Sequence, residues 1–297
     1  KRVKMSEEKK IFWIASYPKS GNTLFRAILS SLFFTNDGIF SFKLFDTIRY
    51  FETAARLLFI QKENIEDFKK LNQMEIISKY WLEMQTQKRL DIKESFIFLK
   101  THSALLNLYG NDFTNPKSSR GLIYLVRDPR DVAISWAKHR NKKLDNTIKL
   151  LINKDAAIDY NDVEKLEFGN IVPSVLLSRW DVHVKSWQYL NVPKMIIRYE
   201  DLIDNKKETI LKVIKFFEEN YGFNFNNVEE KINNIVLSTD FNKMKKTEDK
   251  EGFEEARDHR SFFSVGKKNQ WKNVLNSKQI KEIEENFKDE MIKFKYL

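Results

Sequence analysis

The chain has no cysteine, which excludes disulfide pairing, thiolate chemistry and cysteine-ligated zinc together. Imidazole is almost as scarce. His102, His139, His183 and His259 are its only carriers, and no two stand at the spacing of a metal site. Against 24 phenylalanines there are just 8 glycines, a balance that favours well-filled helices and strands. Long apolar runs are missing too: residues 54–60 are too few to span a bilayer and include Arg56. Lys1-Arg2-Val3-Lys4 has no apolar stretch behind it, so no secretory signal is expected and the expected location is the cytoplasm. There is no internal repeat, low-complexity tract or sharp linker.

What is present is positive charge. A formal net charge of +10 points to anionic partners. Much of the excess falls in residues 138–149 and 243–250, which read as solvated lysine-rich faces rather than a nucleic-acid groove. Such faces also suit peripheral contact with an anionic membrane surface, and the sequence leaves that choice open. Apolar runs at 11–15, 95–99, 121–126 and 194–198 predict strands, with helical periodicity between them. That alternation predicts an α/β fold: one domain over residues 1–297, its central, largely parallel sheet flanked by helices. A mostly helical insertion is expected over about 36–93, covering a cleft, and residues 141–169 are a second polar stretch. Nothing in the sequence specifies an oligomeric state.

Several local signals are sharper. Phe25, Leu29, Leu24, Ile28 and Leu32 form an apolar stripe on a helix after the first strand. Asp128-Pro129 reads as an N-cap followed by proline at the first helical position. Leu176, Trp180, Val184 and Trp187 share a helical face, and His183 on that face reads as a packed residue. Asn276 with Gln279 opens a C-terminal amphipathic helix.

The densest signal is Ser16-Tyr17-Pro18-Lys19-Ser20-Gly21-Asn22-Thr23, lying between the first strand and its helix. Strand, tight turn and helix start aim backbone N–H groups at one anion, and the helix dipole adds positive potential there. Gly21 permits close backbone approach, Lys19 brings a cation, and Ser20 and Thr23 bring hydroxyls. A nucleotide triphosphate loop would end Gly-Lys-Ser/Thr, but Asn22 stands where that lysine would be. Residues 123–126 also run into Arg127, with no carboxylate to help hold a metal. A phosphate or sulfate donor that needs no metal fits better than a triphosphate.

Other segments join this loop in order along the chain. Lys100-Thr101-His102 follows a strand, Arg127-Asp128-Pro129-Arg130-Asp131 ends another, and Ser135 lies in the helix beyond it. Arg127 and Ser135 at those places fit a phosphate clamp, though a charged helix start alone would look similar. In open α/β sheets ligands bind at the carboxyl ends of strands, where these segments fall. Together they resemble the sulfotransferases that use 3′-phosphoadenosine 5′-phosphosulfate, PAPS. The family patterns Tyr-Pro-Lys-Ser-Gly-x-Thr and Arg-x-Pro-x-Asp-x-x-x-Ser occur at residues 17–23 and 127–135, and the likeness runs from about Ile11 to Asn273.

The resemblance implies that Lys19, Ser20, Gly21, Asn22, Thr23 and Leu24 surround the 5′-phosphosulfate. It implies that Arg127 and Ser135 hold the 3′-phosphate, and that Tyr199, Thr239 and Phe241 line the cofactor pocket. His102 is then the general base on an acceptor hydroxyl or amine. Lys19 stabilises the leaving phosphate, and Lys100 adds charge near the transferring group. PAP is the expected product, with a small-molecule, lipid or carbohydrate acceptor, no metal and no nucleic-acid partner. The chain departs from the family in its closing segment, usually begun Arg-Lys-Gly, where it has Ser264-Val265-Gly266. Gly266 still offers a backbone N–H, while Lys267 or Lys268 replaces the absent arginine's charge. Leu24 stands where a donor-stacking Trp is common, which shifts adenine stacking onto Phe241. Two alternatives remain beside this reading: a P-loop-type nucleotide or small-molecule kinase, and a non-catalytic PAP- or nucleic-acid-binding protein.

Overall fold

The first strand candidate is buried along its whole length. In the computed structural model, which describes residues 11–70, 73–90, 95–159, 167–253, 263 and 266–297, it forms β1, Ile11–Ser16. A strand buried on both faces must be apolar at every position, which is how a central strand of a parallel sheet reads. The other strands among the described residues are β2 (Arg49–Tyr50), β3 (Ile97–Thr101), β4 (Asn107–Leu108), β5 (Asn111–Asp112), β6 (Ser119–Val126), β7 (Ala157–Ile158), β8 (Val175–Leu176) and β9 (Lys194–Arg198). A 5-stranded sheet has the order β2-β3-β1-β6-β9, while β4 pairs with β5 and β7 with β8. β1 and β2 both run parallel to β3, with Ile11 opposite Ile97 and Arg49 opposite Leu99. The fold is the expected α/β type, a parallel sheet with flanking helices.

Cα packing groups the chain into two compact units, whose division falls within β6 and β9. The first unit comprises residues 1–17, 49–124 and 153–195. Its core centres on Trp13, whose ring lies 5.2 Å from Phe51, 5.6 Å from Phe113 and 6.0 Å from Trp187. The Trp13 indole N–H donates to Ser119 Oγ at 2.9 Å, so the buried ring keeps its polar atom satisfied.

The second unit comprises residues 18–48, 125–152 and 196–297. The helix Asn22–Phe34 buries Phe25, Ile28, Leu29 and Leu32, the predicted stripe. Its Arg26 is buried as well, donating from Nε to Ile48 O at 3.0 Å and from Nη2 to Phe45 O at 3.1 Å. Phe40, Phe45, Met244, Phe263 and Ala27 form an apolar cluster, against which Leu24 and Phe241 pack. The helix Pro129–Arg140 begins as the sequence predicts: Asp128 accepts from Arg130 N and proline stands in the first turn. The helix Ser277–Lys293 carries a complete capping box between Asn276 and Gln279.

One sequence expectation needs correction. Leu176 does not share a helix with Trp180: it lies in β8, its carbonyl accepts Ala104 N at 2.6 Å, and the helix is Trp180–Gln188. Strand pairing overrides the helical spacing there. Region 36–93 is largely helical, with Ala54–Lys70 its longest helix, but it also contributes β2 to the sheet. A two-residue strand is too short to leave a periodic signature. Ser264, Val265, His259, Asp91 and Lys93 lie outside the described residues. Among those described, no helix is long and apolar enough to cross a membrane.

Arg130 is the most heavily tied buried charge of the second unit, at 3% exposure. It meets Asp128 Oδ2 at 2.7 Å, Glu284 Oε1 at 2.5 Å and Tyr296 O at 2.7 Å. Removing one partner of such a cluster strands the others without water. Arg130→Met is expected to lower stability by about 3–5 kcal/mol in urea unfolding; a loss within error of zero would mean the carboxylates find water instead.

Candidate active site

In the second unit, the residues from Pro18 on form the turn that the sequence marks as an expected anion site. Lys19 has φ 67° and Gly21 φ 92°, so the left-handed region is entered at both positions. A lysine there is strained, a feature that concentrates at ligand sites. Gly21 is required twice over, because a Cβ would also stand 2.5 Å from Cδ2 of Tyr199. Gly21 is the N-cap of the helix Asn22–Phe34, with no side-chain cap and no acidic residue in the first turn. The amides at that helix start are therefore not consumed by a capping side chain. Beside them Ser20 is 0% exposed, and its Oγ has no hydrogen-bond partner among the described residues. A buried hydroxyl is normally hydrogen-bonded, so this one points to a missing acceptor. The residues present fit a bound phosphate or sulfate ester.

Arg127 ties the turn to the closing segment. Its Nη1 donates to Lys19 O at 3.0 Å and its Nη2 to Lys267 O at 3.1 Å, while the guanidinium lies 4.2 Å over the Tyr199 ring. Nε of Arg127 is buried without a protein partner. Asp131 accepts Asn269 N at 2.6 Å and Trp271 N at 3.0 Å, pinning the segment after Gly266. Burial pushes its carboxyl up, against the pull of Arg127. Gly266 has φ 62°, and a Cβ there would stand 2.3 Å from Cδ2 of Phe241, so the position has no room for a side chain. Lys268 is paired with Asp204, whereas Lys267 is exposed. Thr239 is buried and donates from Oγ1 to Ile235 O at 2.7 Å, just before the Asp240 cap of the helix carrying Phe241. Ser135 is half-buried on the helix Pro129–Arg140.

In the first unit, Lys100 and Thr101 end β3 and His102 follows it directly. Lys100 is 2% exposed and its Nζ lies 3.6 Å from the centroid of the Tyr50 ring. Nδ1 of His102 is 2.7 Å from the carbonyl of Ser16 and 3.2 Å from its Oγ. A carbonyl only accepts, so the proton resides on Nδ1 and the basic lone pair on Nε2. The flanking hydroxyls of Thr101 and Ser103 both donate to Glu52 Oε1, Ser103 at 2.7 Å. Burial raises the Glu52 carboxyl, opposed by those two hydroxyls and by Lys100. Glu52 and Ser16 were not singled out from the sequence. Glu52 follows a two-residue strand, and a carboxylate serving two neighbours of a histidine leaves no spacing signal.

His183, expected to be packed, is 0% exposed. Tyr124 Oη lies 2.7 Å from its Nδ1, and its Nε2 is 2.9 Å from the carbonyl of His102. Burial holds its pKa down to about 4. Below the unfolded value of 6.5 the unfolded chain takes up a proton that the folded one refuses, so stability must fall as pH drops from 6.5 toward 4. Between pH 7 and 5 this group is expected to cost about 2 kcal/mol, a dependence lost in His183→Gln. Urea midpoints of both proteins across that range check it, and parallel slopes would refute it.

Comparison with known proteins converges on one family. The family profile described as Sulfotransferase domain matches residues 9–295. The amine sulfotransferase of Oryctolagus cuniculus is 24% identical over 291 residues, covering 95% of this chain and 81% of that protein. Sulfotransferase 1B1 of Canis lupus familiaris is 25% identical over 238 residues, 78% of this chain and 65% of its own length. Among solved structures, mouse sulfotransferase SULT7A1 complexed with PAP matches with a TM-score of 0.60 at 20% identity, covering 96% of this chain and 84% of that one. Retinol dehydratase in a complex with retinol and PAP matches with a TM-score of 0.58, likewise at 20% identity, over 96% and 82%. The profile spans nearly every residue, strand and loop discussed above, and the chain belongs to the sulfotransferase family.

Proposed function

We propose that the chain transfers a sulfuryl group from PAPS to a hydroxyl or amine of an acceptor, releasing PAP. The observation that carries this reading is the turn of Lys19, Ser20 and Gly21: an uncapped helix start beside a buried hydroxyl with no protein partner. Bound PAPS supplies an activated sulfuryl group on a phosphate leaving group. Ser20, Thr23 and the amides after Gly21 hold the anion, and Asn22 and Leu24 complete the wall of the turn. Lys19 donates to the oxygen that gains charge as the sulfur–oxygen bond to phosphate breaks. At the other end Arg127 and Ser135 serve the 3′-phosphate. Gly266 adds its N–H and Lys267 the positive charge that the family's arginine gives. Tyr199, Thr239 and Phe241 line the nucleoside. Lys268 is already engaged by Asp204, which favours Lys267 for that charge.

Nε2 of His102 takes the acceptor proton as the new oxygen–sulfur bond forms, its tautomer set by Ser16. Lys100 adds positive potential beside that base. The acceptor is a small molecule in this reading, a lipid or carbohydrate among the candidates. The name of the rabbit amine sulfotransferase and the retinol bound by a structural neighbour favour small molecules. A cytoplasmic location belongs to the same proposal. The kinase alternative is not favoured, since Asn22 leaves the loop without its triphosphate lysine.

The test incubates the protein with labelled PAPS and a pool of phenols, sterols, amines, sugars and lipids. His102→Ala is expected to lower turnover about a thousandfold while PAP binding stays within about twofold. Substantial residual transfer would remove His102 from the role of base. Gly21→Ala is expected to weaken PAP binding by at least about tenfold in calorimetry, because the Cβ displaces the Tyr199 ring and strains the turn. Unchanged affinity would place the phosphates elsewhere.

A further inference from the structure

We propose that His183 is a positioning residue for this reaction, fixing the backbone that carries His102 through its hydrogen bond to the His102 carbonyl. The inference rests on the reading of His102 as base. The helix Trp180–Gln188 presents His183, Ser186 and Trp187 on one face, at the spacing that aligns side chains along a helix. Each engages the segment that follows β3. His183 Nε2 donates to His102 O at 2.9 Å, Trp187 Nε1 to Ser103 O at 2.9 Å, and Ser186 Oγ accepts Leu105 N at 3.0 Å. Only His183 acts on the residue that bears the base.

The direction of that bond is enforced. The carbonyl of His102 can only accept, so the His183 proton is on Nε2, and its Nδ1 accepts from the Tyr124 hydroxyl at 2.7 Å. The ring is fully buried and stays neutral, so neither proton position is exchanged with solvent under working conditions. The ring of Tyr17 meets that of His183 edge-on at 5.2 Å. One imidazole thus touches both the base's own carbonyl and the residue that leads into Pro18 and Lys19. Ser16 holds the His102 ring from one side, and His183 holds its main chain. Two independent bonds on one residue leave little rotational freedom to a group whose attack geometry must hold within a fraction of an ångström.

Steady-state kinetics with PAPS and the best acceptor from the pool decide it, run on wild type, His183→Ala, His183→Gln, Tyr124→Phe and His102→Ala. His183→Ala is expected to lose at least about tenfold in kcat with KM for PAPS and PAP affinity within about twofold. The acid limb of its kcat/KM profile should also move. His183→Gln, whose amide can donate to the same carbonyl, is expected to recover kcat to within about threefold of wild type. Tyr124→Phe, which frees the tautomer, should lose about threefold or more in kcat, and it decides the matter alone if His183→Ala does not fold. A kcat near wild type in His183→Ala, glutamine no better than alanine, or a parallel loss of PAP binding would overturn the proposal. If His102→Ala remains active, the base assignment fails and the positioning role with it. If His102→Ala is inactive while His183→Ala is not, only the positioning role fails.

Discussion

The donor half of this chain depends on the two-pronged bond of Arg127. Its guanidinium joins the carbonyls of Lys19 and Lys267, residues far apart in sequence, and lies over Tyr199. Arginine is suited to this because the planar fork presents two N–H groups in fixed relative geometry, while its face stacks on a ring. A lysine could satisfy one carbonyl but not hold both in register. The left-handed backbone at Lys19 needs such an outside constraint, since a non-glycine residue does not stay there unaided. Tyr199 in turn lies so close to Gly21 that the turn has room for no side chain there. The turn of Lys19 and Gly21, the chain at Lys267 and the Tyr199 ring are therefore one cooperative arrangement rather than separate contacts.

The half bearing His102 is organised on a different principle. There the constraint is a set of hydrogen bonds around three consecutive residues after β3. Glu52 accepts from the hydroxyls on either side of His102, the Ser16 carbonyl accepts from its Nδ1–H, and His183 and Trp187 donate to successive carbonyls. A buried carboxylate is costly, and the raised Glu52 ionisation reflects that cost. Two hydroxyl donors and the nearby Lys100 charge offset it. The arrangement fixes the ring and main chain of His102 at the cost of burying a carboxylate.

Much of this was legible in the sequence, and the reasons differ by element. β1 was found because its apolar run is unbroken and ends at a turn, and Asp128-Pro129 and Asn276/Gln279 because capping is local chemistry. The anion turn was legible because few residue types tolerate its backbone and function together. What escaped was non-local. β2 is defined by its partner β3 and not by its own two residues, and Leu176 follows strand pairing against its helical spacing. Glu52, Ser16 and Tyr124 acquire their importance only from what the fold places beside them. The Arg127 bonds to main-chain carbonyls are invisible in the same way, since any residue provides a carbonyl.

The link between the two halves is partly covalent. Ser16, whose carbonyl sets the His102 tautomer, ends β1, and Lys19 follows three residues later in the chain. Tyr17 and Pro18 between them are both buried, and proline removes one more backbone freedom. The left-handed backbone of Lys19 is tolerable because the turn leads straight into a 13-residue helix buried along most of its length.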